Sequence, residues 1–323
     1  MCLYPRLLNN PKYRANKKNG GEIPQLKDKR TLLVPVGCGN CIECRKQKKR
    51  EWQIRLTEEC EYDRSGVFVT LTFSNESIRE LGQQIKNLDG YERDNAIATL
   101  GVRRFLERWR KKHKKSVKHW LITELGHQGT ENIHMHGIIW TDNREDINDI
   151  WKYGFTYIGS KEKKVSNRAV NYIIKYITKT DLKHETYKPK ILCSKGIGKA
   201  YINKSDAKYN KYKGEQTKET YTNNKGFKIA LPIYYRNKIY TEEEREKLWI
   251  NKLDKGIRYV GGIEINMNED GAEEKYFKLL EEYRKENKIL GYGTNEINWE
   301  KRIYERQLRN QMYWKRVQAK RKK

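Results

Sequence analysis

Two pairs of side chains in this sequence are spaced for joint chemistry. The stretch Asn132-Ile133-His134-Met135-His136-Gly137-Ile138-Ile139-Trp140 reads as a strand with histidines at i and i+2. Successive strand side chains alternate between faces, so His134 and His136 point the same way. Tyr172-Ile173-Ile174-Lys175-Tyr176 reads as a helix whose tyrosines, four apart, share one face. Paired imidazoles can hold a divalent cation, and such a cation neutralises charge on the non-bridging oxygens of a phosphodiester under attack. A phenol is a poor nucleophile while protonated, its ordinary pKa being about 10. Polarisation of the phosphate and a nearby ammonium compensate. Lys175 and Lys179 each follow a tyrosine by three residues and so lie on nearly the same helix face as their partner.

The third ligand and the supporting elements follow from the surrounding pattern. Two imidazoles and a carboxylate make a mixed N/O site suited to Mg2+ or Mn2+ with positions left open. Lys118–Leu125 (KHWLITEL) reads as a strand, and Gly126-His127-Gln128-Gly129 as the hairpin connection to the histidine strand. Folding that hairpin returns Glu124 to the side of His134 or His136; Glu131, closer to the turn, is the alternative. Val67–Phe73 (VFVTLTF) is a β-branched strand, and Gly154–Ile158 a fourth. Ser166 or Asn167 can cap the tyrosine helix, which runs to about Lys179. Further helices are expected over Glu43–Glu61, Ala96–Lys115, Asp146–Trp151 and Thr241–Leu253. The apolar stripe of the second holds Val102, Phe105, Leu106 and Trp109. Its other side carries Arg103, Arg104, Arg108 and Lys111, a solvated face or a DNA contact. Strands alternating with helices around an antiparallel hairpin predict an α+β fold, with helices flanking a central sheet.

Each pair alone is a weak signal. An H-x-H strand is more often core than metal site, and a Y-x3-Y helix is more often a packing stripe. Their coexistence in one basic chain is more specific. The chain has 323 residues with Lys+Arg 69 against Asp+Glu 42, a net charge of +27. That excess favours a polyanionic partner. Its 22 tyrosines and eight tryptophans suit single-stranded nucleic acid, where bases stack on rings while cations meet phosphates. No apolar run approaches the length of a membrane span, and the Pro- and Asn-interrupted start does not read as a signal peptide, so a cytoplasmic protein with reduced cysteines is expected. Cys38, Cys41 and Cys44 form C-x2-C-x2-C, a metal-like spacing. Cys2 would complete a tetrahedral zinc site ahead of Cys60 or Cys193. The bland reading is three reduced cysteines in a tight glycine turn.

The order VFVTLTF, IHMHGIIW, YIIKYITK resembles motifs one, two and three of the HUH endonucleases, the rolling-circle replication initiators. The two tyrosines, each followed by lysine, resemble the two-tyrosine class. Cys2, CGNCIECRKQKKREW (38–52), Trp151–Ile158 and Ser194–Lys199 resemble, more narrowly, initiation proteins of the gokushovirus-type Microviridae. The likeness covers about residues 1–200. It implies a five-stranded antiparallel sheet and an enzyme that nicks one strand at a replication origin through a 5′-phosphotyrosine. The free 3′-OH would prime a host polymerase, and the displaced strand would later be rejoined. His134 and His136 match the histidines of that family, and Glu124 would be the third ligand.

That reading divides the chain into an N-terminal cysteine segment (1–62), an endonuclease core (63–182) and a basic, largely helical C-terminal region (183–323). No helicase phosphate loop is present, so unwinding would fall to a host helicase in a bacterial cytoplasm. Gly196-Ile197-Gly198-Lys199 is only a glycine turn. Residues 204–225, polar and Asn/Lys/Tyr-rich, are expected to be loop or disordered. Lys301–Lys323 is expected to hold DNA nonspecifically. Two other classes fit part of the pattern: a non-enzymatic single-stranded nucleic-acid-binding protein, and a plasmid relaxase or transposase of the same chemistry.

Overall fold

The structure, a computed structural model, describes residues 2–293 except 128, 130, 161–164, 182 and 185, with backbone alone at 6 and 7. The chain divides into two compact units. One comprises residues up to Glu51 together with Ala200–Glu296; the other contains Trp52–Lys199. The boundaries therefore fall at 51/52 and 199/200, and residues before 52 and after 199 share a unit. The basic segment 301–323 lies outside the described residues.

In chain order, the first unit begins with a hairpin of β1 (Arg6–Asn9) and β2 (Leu33–Val36). Helix α1 (Ile42–Tyr62) then crosses the boundary. The second unit follows with β3 (Gly66–Thr72), α2 (Asn75–Gly82), α3 (Gly90–His113), β4 (Lys118–Leu125), β5 (Ile133–Trp140), α4 (Glu145–Ile150), β6 (Thr156–Ile158), α5 (Asn167–Thr178) and β7 (Ile191–Cys193). Its five strands form one antiparallel sheet in the order β6-β3-β5-β4-β7, which makes the fold α+β as expected. Strand β7 and helix α2 were not foreseen, and α3 begins six residues earlier than its apolar stripe suggests.

Strand alternation separates two cores. On one face Val67, Val69, Leu71, Leu121, Met135 and Ile139 pack with Ile97, Val102, Phe105 and Trp109 of α3. On the other, Trp120, Ile122, Ile138 and Trp140 pack with Val170, Ile173, Ile174 and Ile177 of α5 and with Leu56 and Cys60 of α1. Both are closed apolar layers whose burial drives folding of this unit. Gly137 is required by the close approach of β4 and β5. A Cβ there would run into the Trp120 carbonyl and the Leu121 backbone.

The first unit resumes with a hairpin of β8 (Thr220–Thr222) and β9 (Lys228–Ala230), helices α6 (Ile233–Ile239) and α7 (Glu242–Lys255), a hairpin of β10 (Ile257–Val260) and β11 (Ile263–Asn266), and α8 (Ala272–Ile289). Thr241 caps α7 in a reciprocal box with Glu244, as its acidic first turn predicts. The expectation of loop or disorder over 204–225 is corrected. A 3-10 turn spans Ser205–Asn210, and buried Asn210 donates to the Lys218 and Thr220 carbonyls, with its own oxygen taken by Tyr201. One buried amide satisfying three partners holds a segment that has few apolar residues to read. Among the described residues no helix is long and apolar enough to cross a membrane.

Candidate metal and tyrosine site

The site is built on the middle of the sheet. Antiparallel pairing sets Glu124 opposite His134, and both Ile122 and Thr70 opposite His136. Directly opposed residues share a face, so Glu124, the two imidazoles and Thr70 all emerge on the α5 side. Met135, between the histidines, is fully buried on the α3 side. Rigid central strands thus fix the polar groups while the alternate residues anchor them.

Glu124 Oε2 lies 3.3 Å from His134 Nε2 and 3.2 Å from His136 Nε2. His134 Nδ1 is 3.3 Å from the Asn132 carbonyl, which can only accept, so Nδ1 carries the hydrogen and neutral His134 turns a lone pair toward Glu124. His136 Nδ1 is held at 3.0 Å by Thr70 Oγ1. Such outer partners are what orient metal-binding imidazoles. The three inward atoms have the mutual separation expected of ligands around one cation, about 3.0–3.5 Å for bonds of roughly 2.0–2.2 Å. The donor set therefore fits a divalent cation. Lys179 Nζ takes the other oxygen, Oε1, at 2.6 Å. Burial alone would raise the Glu124 pKa, but its bonds to His134, His136 and Lys179 outweigh that and hold it well below the usual carboxylate range.

Helix α5 brings the tyrosines over this cluster. Ser166 caps it by accepting the Ala169 N–H, and its apolar stripe docks on the sheet. Tyr172 is 42% exposed and Tyr176 only 4%. The Tyr176 ring stacks on His136, with centroids 4.9 Å apart and planes 7° from parallel. Its hydroxyl donates to the Tyr172 hydroxyl at 2.9 Å. Burial, reinforced by that bond, pushes the Tyr176 phenol far up in pKa, so it remains a proton-bearing donor. Lys175 Nζ sits 3.9 Å from the Tyr172 ring centroid and 5.0 Å from that of Tyr176.

The remaining expected residues fall in different places. Lys179 serves Glu124 directly and lies 5.5 Å from the Tyr176 ring. Glu131, the alternative ligand, pairs with Lys183 at 2.6 Å and faces His184 at 3.6 Å, so the carboxylate at the imidazoles is Glu124. Arg103, Arg104, Arg108 and Lys111 lie on α3, across the sheet from the histidines. Arg103 pairs with Glu107 and Arg104 with Gln84. Arg108 is engaged internally, with the Ile150 carbonyl at 3.0 Å and the Tyr153 hydroxyl at 3.1 Å. Thr70 and the Asn132 carbonyl were missed, because their roles depend on register and backbone direction rather than residue type.

A second cluster lies in the other unit. Cys2, Cys38, Cys41 and Cys44 place all four sulfurs within 4.8 Å of one another. The Cys38–Cys44 and Cys2–Cys41 separations are 4.0 and 3.9 Å, close to the roughly 3.8 Å edge of a tetrahedron with Zn–S bonds of about 2.3 Å. Backbone N–H groups of Tyr4 and Cys38 point at Cys2 Sγ, and those of Asn40 and Cys41 at Cys38 Sγ. These sulfurs are thus provided for as thiolates. Gly37 leaves the space: a Cβ there would meet Cys44 Sγ at 3.1 Å. Cys60 and Cys193 are not part of the cluster.

An α+β domain whose central strands present two imidazoles and a carboxylate beneath a tyrosine-bearing helix defines a metal-site class suited to phosphate chemistry. The model of the replication-associated protein ORF2 family matches residues 66–181, the stretch from β3 through α5 that holds Thr70, Glu124, both histidines, both tyrosines, Lys175 and Lys179. The match supports a rolling-circle replication initiator role. No curated protein and no solved structure matches the chain.

Proposed function

We propose that this protein is a metal-dependent DNA nicking-joining endonuclease of the HUH type that initiates rolling-circle replication of a small single-stranded DNA phage. The observation that supports this most is the exposed Tyr172 hydroxyl beside the His134–His136–Glu124 cluster, accepting a hydrogen bond from buried Tyr176. A Mg2+ or Mn2+ ion held by those three ligands would supply Lewis-acid stabilisation of the phosphate. Tyr172 Oη is the attacking atom. It bonds to phosphorus as its proton leaves, the P–O3′ bond breaks, and the products are a 5′-phosphotyrosine and a free 3′-OH. Donation from Tyr176 favours the developing phenolate, and the Lys175 ammonium lies where it can meet a phosphate oxygen. Return of a 3′-OH to the phosphotyrosine reverses the bonds and rejoins a strand. Tyr176, one helical turn away, is the second nucleophile once the helix or DNA shifts.

In this reading host helicase and host polymerase supply unwinding and synthesis in the bacterial cytoplasm. The four-cysteine cluster holds structural zinc. Arg103, Arg104 and Lys111 contribute phosphate contacts away from the site, as does the segment 301–323. The test is incubation with single-stranded origin oligonucleotides and Mn2+. A covalent protein–DNA adduct mapping to Tyr172 or Tyr176 is expected, and the Tyr172→Phe, Tyr176→Phe double variant should form none. Binding without any adduct would instead favour a non-enzymatic nucleic-acid-binding protein. A phosphotyrosine outside α5 would refute the nucleophile assignment.

A further inference from the structure

A run of rings leads from the metal cluster to the edge of the sheet. Tyr176 stacks on His136, and Phe68 of β3 lies 6.3 Å from His136 and 24° from parallel to it. Phe68 in turn meets Tyr172 at 5.9 Å and Tyr157 at 6.2 Å, both near-perpendicular, at 67° and 68°. Register explains the run. Tyr157 is paired with Thr70, which is paired with His136, so all three emerge on the α5 face. Phe68 is two residues from Thr70 and therefore on that face as well. The inner members are buried or half-buried, but Tyr157 is 54% exposed on edge strand β6. Isolated exposed aromatics are ordinary. This one differs because it continues an unbroken aromatic surface that ends at the attacking tyrosine.

We infer that Tyr157, with Phe68 beneath it, is a stacking subsite for an unpaired base next to the scissile phosphate. The occupant is a base of single-stranded DNA rather than an apolar protein segment. Lys175 stands over the Tyr172 ring at the inner end of the run, and a cation beside aromatic rings matches the phosphate-plus-base pattern of a single strand. The chain's charge of +27 provides the complementary field. Stacking on rings is tolerant of base identity, so the subsite positions the strand over the metal cluster without specifying sequence. A base held two strands from Glu124 would limit sliding of the phosphate past Tyr172, which is a positioning role.

This inference rests on the nicking reading, but its test does not require cleavage. The full chain is titrated, without added divalent cation, against a short oligothymidylate carrying interspersed 2-aminopurine. Anisotropy reports binding and quenching reports stacking. Tyr157→Leu should bind roughly tenfold more weakly and lose most of the quenching, while Tyr157→Phe and Tyr157→Trp should retain both. At saturating oligonucleotide with Mn2+, Tyr157→Leu should still form the covalent adduct. Wild-type affinity and quenching in Tyr157→Leu would overturn the subsite. Absence of an adduct in the wild-type protein would overturn the nicking reading and leave the stacking result standing by itself.

Discussion

The four cysteines of the first unit come from a chain end, a turn and the first turn of a helix, whereas His134, His136 and Glu124 come from the middles of adjacent strands. The cysteine set is complete: four soft ligands at tetrahedral spacing, with N–H groups already directed at two of the sulfurs. The histidine set has three ligands, a lysine on the outer carboxylate oxygen and an exposed phenol nearby. Closed four-ligand sites hold structure, and three-ligand sites leave room for substrate. Flexible segments that cannot fold a core by themselves gain from a metal cross-link. A reacting group instead needs ligands fixed by a sheet that folds without them.

That contrast is broken most severely at Cys41, which is buried against Leu3, Val260 and Tyr276. Structural zinc contributes on the order of 10 kcal/mol in small zinc domains. Cys41→Ser should lose bound zinc, measured by elemental analysis, and render residues 2–51 and 200–293 sensitive to limited proteolysis. The sheet unit should remain resistant. A zinc-free wild-type protein with the same proteolytic pattern as the variant would remove the structural role. The converse variant, His134→Ala with His136→Ala, should leave proteolysis and zinc content unchanged. Its adduct yield should fall on the order of a thousandfold, the several kcal/mol that a Lewis-acid metal supplies. Full adduct formation in that variant would detach the histidines from the chemistry.

The two clusters were also unequally legible. His134 and His136 announced themselves through strand alternation, and β4 and β5 run over Lys118–Leu125 and Ile133–Trp140 as read. Glu124 followed from folding one short hairpin. Cys2 was harder, because nothing local ties it to residues 38–44, and its partner N–H at Cys38 appears only in three dimensions. Strand β7 has three residues, too few to show a period, although it completes the sheet against Trp120–Ile122. The β10–β11 hairpin did carry a signal, two short β-rich runs around Gly261-Gly262, and it was overlooked within a strongly charged stretch. Arg108 looked like its neighbours on a basic helix face, yet it is spent on Ile150 and Tyr153, which no spacing rule reveals.

A finer test of the open site is its outer partner. Thr70→Val keeps shape and β-branching but removes the hydroxyl that holds His136 Nδ1. Outer-partner losses of this kind cost about 10–100-fold in metal affinity or activity. The expected signature is a shift of the Mn2+ concentration giving half-maximal adduct, with the yield at saturating Mn2+ largely restored. An unchanged Mn2+ dependence would mean that the ring is held by packing against Tyr176 alone. No comparable dependence should be found in the cysteine cluster, where the ligands themselves close the site.

The smallest expected effect separates the two tyrosines. Tyr176→Phe preserves the ring stacked on His136 and deletes only the hydroxyl that donates to Tyr172. A single neutral hydrogen bond contributes about 1 kcal/mol, so first cleavage should slow by roughly fivefold. Tyr172→Phe removes the exposed nucleophile and should slow it far more, leaving only what Tyr176 achieves after rearrangement. Burial of Tyr176 is the physical basis for this asymmetry, since a phenol that stays protonated and packed is a better donor than attacker. Single-turnover adduct formation by the two variants decides the matter. If Tyr176→Phe proves as damaging as Tyr172→Phe, the buried phenol is itself the first nucleophile, and the exposed one supports it.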